Sequence, residues 1–203
     1  MTINDFGAGV ASVWEGLRPS TRSLVERALT AHPPAARGDS HYDARSEWEL
    51  SRLLAALDAR AAEKGAKVLS AEASRELRHV AETCAAVLHR EARSAEVFAQ
   101  LLERALRSRD YARVDALADA MTGRLAPSEL CELARNPNPP VRAVAQEALL
   151  QLPTGALVSL LGDPIDAETA RSALESQADE YESEEARLIV NVLDQADDAE
   201  DDL

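Results

Sequence analysis

The sequence predicts an all-α protein whose C-terminal half is an α-solenoid of short antiparallel helix pairs behind an N-terminal helical cap. Three observations carry this expectation. Ala and Leu dominate while aromatic residues make up 3% of the chain, a composition that favours helices over strands. Val and Ile fall mostly at helical spacing rather than in alternating runs. Finally, Leu130, Cys131, Leu133, Ala134 and Pro137 recur 27 residues later, in the same apolar order, as Leu157, Val158, Leu160, Leu161 and Pro164. With 203 residues, 46% of them hydrophobic, the chain can bury a core as one extended or two small domains.

Taken in order, Thr2-Ile-Asn-Asp5 has the spacing of a capping box, so a first helix is expected from about Ile3 to Leu17, with Pro19 ending it. Ser20 or Thr21 is placed to cap a second helix carrying Leu24, Val25, Ala28 and Leu29. The breaker-rich stretch from His32 to Ser40 reads as a linker. A long helix follows from about Tyr42 to Lys64, with Trp48, Leu50, Leu53, Leu54, Leu57 and Ala61 as its apolar stripe. Beyond Ser70, a cap, Leu77, Val80, Ala81, Cys84, Val87 and Leu88 repeat at helical spacing, so a second long helix should fold back on the first. The expected organisation is an N-terminal segment and linker over 1–40, a helical hairpin over 41–93, repeats over 94–196 and a disordered acidic tail over 197–203.

The repeat has a second half. Val141, Val144, Ala145, Ala148 and Leu152 correspond, 27 residues back, to Val114, Leu117, Ala118, Met121 and Leu125. Two helices per unit at such a period mark an array in which each unit buries its face against its neighbours. The units are expected at 94–125, 127–152 and 154–177, closed by a helix near 183–196. At the turn, Asn138 can cap, Pro139 suits the first helical position because its missing N–H has no partner there, and Ala145 and Ala148 allow close approach.

Asn138-Pro-Pro-Val-Arg142 followed by Ala145, Ala148 and Leu149 resembles the second-helix signature of HEAT-like repeats, over roughly the C-terminal half. The resemblance implies a right-handed array and, between successive units, a hydrogen-bonded ladder of a turn Asp and an Arg six positions later. The matching positions are Asn136 with Arg142, then Asp163 with Thr169, so the implied link across units joins Arg142 to Asp163.

Charge narrows the partner. The net charge is −14, and from Asp179 to Leu203 eleven acids face one base, Arg187. Such a run is most often a solubilising end; its functional reading is an attraction for a basic partner, with Asp194, Asp197, Asp198, Glu200, Asp201 and Asp202 as the candidate contacts. Direct nucleic-acid binding is disfavoured, since phosphates require a basic stripe. The basic residues are nearly all Arg, a bias of GC-rich bacterial coding. No apolar run approaches the roughly 20 residues of a membrane span, and Met1 to Gly16 lacks the basic flank of a signal peptide, so a cytoplasmic location is expected.

Catalytic chemistry finds few candidates. Cys84 and Cys131 lie on apolar faces, outside any Cys-x-x-Cys pair, and read as small core residues. His32, Asp39, His41 and Asp43 have the letters of a metal site, but a polar loop gives the same letters. Neither a Gly-x-Ser-x-Gly nucleophile nor a glycine-rich phosphate loop is present, so no cofactor is expected. Trp14, Trp48 and Phe98 are candidate interface anchors, each also compatible with core burial. The expected function is non-catalytic protein binding, as adaptor or scaffold. The alternatives are an inhibitor or immunity-type protein neutralising a basic toxin or nucleic-acid-binding protein, and a HEAT-like lyase or modifying enzyme.

Overall fold

The computed structural model describes residues 3–30, 42–63 and 69–201, with side chains through 195 in the last segment. Among the described residues there are eleven α-helices and no strand, and no helix is long and apolar enough to cross a membrane. The chain divides into two compact units, Met1–Arg93 and Ser94–Leu203.

In the first unit a 3-10 turn, Ile3–Phe6, precedes α1 (Ala8–Gly16). The sequence reading expects one helix here, and Gly7 is what divides it. Its φ of 123° belongs to a region that a residue with a Cβ rarely enters, and the Arg60 side chain reaches into the corner to donate to the Phe6 carbonyl at 2.6 Å. Helix α2 (Pro19–Thr30) starts at the proline, which suits a first helical position. Ser20 and Thr21 therefore lie inside the helix rather than capping it. Helices α3 (Ala44–Ala62) and α4 (Ala71–Glu91) form the hairpin, capped by Asp43, which accepts from the Ser46 amide at 2.7 Å, and by Ser70, which accepts from the Ala73 amide at 3.1 Å. Leu50, Leu53, Leu54 and Leu57 of α3 and Leu77, Val80, Cys84 and Leu88 of α4, which packs on it, are buried, as are Phe6, Val10, Leu24 and Val25.

The second unit is built from α5 (Ala95–Ser108), α6 (Tyr111–Arg124), α7 (Pro127–Ala134), α8 (Pro139–Leu150), α9 (Thr154–Val158), α10 (Ala167–Asp179) and α11 (Glu184–Asp201). Consecutive helices pair, and each pair packs on the one before: α7 and α8 on α5, α8 on α6, and α10 on α7 and α8. The repeated positions do repeated work. Val114 and Val141, Met121 and Ala148, and Leu125 and Leu152 are all buried. The third pair is irregular: α9 is one short helix ending at Val158, after which only turns lead to α10. Gly155 and Gly162 weaken any longer helix there. Helix α11 continues past residue 196, where the sequence reading began a tail, because neither Gly nor Pro follows to stop it.

Candidate partner-binding groove

The turn between α7 and α8 is organised by the residues singled out in the sequence, in other roles. Asn138 stands at the N-cap without a side-chain cap bond, and Pro139 occupies the first helical turn. Asn136 folds the turn instead, its side-chain oxygen accepting from the Asn138 amide at 2.9 Å. One period later Asp163 repeats the device, accepting from the Ile165 amide at 2.8 Å. Asn136 and Asp163 are thus equivalent, as the 27-residue spacing predicts, and each closes an Asx turn.

The expected Arg142–Asp163 link does not form. Arg142 donates to the Asn136 carbonyl of its own turn at 2.9 Å, and the exposed Asp163 accepts from the Ile165 amide of its own loop. Arg135, at the end of α7, makes the link to the next unit. Its guanidinium lies 2.8 Å from Asp166 and donates to the Ile165 carbonyl at 3.1 Å and the Thr169 hydroxyl at 3.4 Å. The contact to Asp166 is one of charge, without the alignment of a hydrogen bond. Arg135 was missed because it falls between the repeated positions. Its signal was a cation at the C-cap of α7, where a positive charge is favoured, and an acid, Asp166, at the N-cap of α10 in the next unit.

Beside this link a groove of about 580 Å³ runs between α8 and α10. Its α8 wall includes Ala143, Gln146, Glu147 and Leu150, and its α10 wall includes Glu168, Thr169, Ser172 and Ser176. Both sets recur at three- and four-residue steps, one face of each helix. Small side chains at Ala143, Ser172 and Ser176 leave the volume open. Glu147, Glu168 and Glu180 put three carboxylates into the lining, while its one cation, Arg135, already faces Asp166. Tyr181 donates to Glu147 at 2.9 Å, which holds the phenol proton above its ordinary value. Ile165 stands at the mouth, 71% exposed.

The other floor of this unit is held by Gln177. Its buried amide donates to the carbonyls of Leu150 and Leu152 at 3.0 and 2.8 Å, which are acceptors left over where α8 ends.

The remaining candidates separate cleanly. Asp194 is bound by Arg171 at 2.6 Å, tying α11 to α10. Asp197, Asp198, Glu200 and Asp201 lie on the backbone of α11, and Asp202 lies outside the described residues. Phe98 is buried, Trp14 is half-buried, and Trp48 is 50% exposed with the Arg52 guanidinium 4.6 Å above its ring. Cys84 and Cys131 are both buried, and burial pushes the Cys131 thiol up to about 11. His32, Asp39 and His41 lie outside the described residues. Asp43 is engaged by Arg18 and by the cap of α3. Among the described residues no group of three or more His, Cys, Asp or Glu is placed to hold a metal ion.

No family model matches the chain, and neither the curated proteins nor the solved structures contain a match to it.

Proposed function

We propose that this chain is a non-catalytic protein-binding module, an adaptor or scaffold. Its second unit would act as a short right-handed array of HEAT-like helix pairs that offers the α8–α10 groove to a basic segment of a partner. The observation that carries the reading is the unbalanced charge of that groove, with three lining carboxylates and a single cation that is already paired. Spacing supports it. Glu168 and Glu180 are twelve positions apart on or just beyond α10, about 18 Å at helical rise. Five or six residues of extended chain cover that length, so Lys or Arg side chains along one segment can meet both. Carboxylates so far apart suit a linear ligand better than a reacting centre, where groups must converge within hydrogen-bond reach.

The test is capture from the native host's lysate. The intact chain should retain a partner that the Glu147→Lys, Glu168→Lys double variant loses, with both proteins matched in helical content by circular dichroism. A partner held equally by both would remove the groove from the proposal.

A further inference from the structure

Helix α11 carries more apolar surface than its neighbour covers. Ala186 is fully buried, whereas Ile189, Val190 and Leu193 are half-buried and Leu188 and Val192 are 68% and 64% exposed. At about 100° per residue, Ala186, Ile189, Val190 and Leu193 share one side of the helix, and Leu188 and Val192 lie together about 130° around it, on the adjoining outward flank. Two branched side chains four positions apart on an outward face have the spacing with which one helix reads another. Glu184 and Glu185 are exposed one turn before Leu188, and the sequence from Asp179 onward is strongly acidic, with Arg187 its one base. The nearest cations are occupied. Arg187 donates to the Ala178 carbonyl at 3.1 Å and Arg171 binds Asp194.

Resting on the protein-binding reading above, we infer that Leu188 and Val192 form the apolar anchor of a docking face for a basic amphipathic helix. The partner's Leu-like side chains pack on this pair, and its Lys or Arg flanks meet the acids of α11. Charge selects this occupant. A second copy would set one acidic helix against another, and an anionic lipid surface would repel both.

The probe is a fluorescent helical peptide of Lys and Leu, about 18 residues long, arranged to be amphipathic, beside a scrambled peptide of the same composition. Binding of each to the full chain is read by anisotropy. Wild type should bind the ordered peptide about tenfold more tightly than the scrambled one. The Leu188→Ser, Val192→Ser variant should lose that preference while keeping its melting temperature, since both side chains are exposed. Equal binding of the ordered peptide to wild type and to this variant overturns the inference. So does equal binding of the two peptides to wild type, and so does a wild-type dimer that the variant breaks. If the Glu147→Gln, Glu168→Gln variant alone weakens binding, the inference falls while the groove reading stands. If neither peptide binds at low salt, the inference falls, while the groove, which takes an extended segment, is decided by the lysate capture.

Discussion

Burial alone would push the Glu49 carboxyl above its ordinary value, yet its pKa is lowered, because the Thr21 hydroxyl and the Arg18 amide donate to it and the Arg18 guanidinium faces it. Arg18 also holds Asp43 well below the usual carboxylate range. A carboxylate whose native pKa is depressed contributes stability that is complete above its unfolded value, 4.5 for glutamate, and that is lost as the pH falls through the lower native value. Acid should therefore loosen the first unit. Glu49→Gln should cost about 1–2 kcal/mol at neutral pH. In urea unfolding the gap between wild type and variant should narrow from about pH 6 to about pH 3; a constant gap would contradict this account. The cluster was illegible in the sequence, where Thr21 reads as a cap and Glu49 as one charge on a polar face, since the partners are 28 positions apart. Trp48 was legible and misread. It precedes Leu50 by two residues, about 160° around the helix from the Leu50–Leu57 stripe, which is why it faces solvent.

Among the elements, periodicity located the long helices well because their buried stripes are continuous. Leu77, Val80, Ala81, Cys84, Val87 and Leu88 are all buried, as their spacing predicts. Breaks that depend on one backbone position were harder to read. Gly7 separates the 3-10 turn from α1, and a Cβ there would stand 3.3 Å from the Arg60 Nε. Gly7→Ala should destabilise by about 1–3 kcal/mol, seen as a lowered melting temperature, and an unchanged one would show that the turn relaxes freely. In the second unit the repeat predicted where α7 and α9 begin but not that α9 would be so short, because Leu157 alone of its copied positions is buried. Gln177 supports the end of α8 from α10. Gln177→Ala leaves two carbonyls short of a donor and should cost about 1–3 kcal/mol by denaturant titration, with Gln177→Glu no better, since a carboxylate cannot donate. Full stability in Gln177→Ala would remove this role.

At the scale of the whole molecule, the charge asymmetry was readable directly from the sequence, while the groove was not. Glu147, Glu168 and Glu180 belong to two helices and converge on one surface only when α10 packs on α8. The acidic run also proved partly internal, since Asp194 is spent on Arg171. What α8, α10 and α11 carry is a set of carboxylates around small apolar contacts, one of them, Glu147, accepting from Tyr181, and such an interface gains its on-rate from charge and its specificity from packed anchors. The most direct test measures the Kd of the lysate-captured partner, purified, for the intact chain and for Glu147→Lys, Glu168→Lys, at about 50 and about 300 mM salt. The account predicts that the intact chain binds more weakly at the higher salt and that the double variant is at least about tenfold weaker at the lower. Affinity indifferent both to salt and to the two substitutions would contradict it.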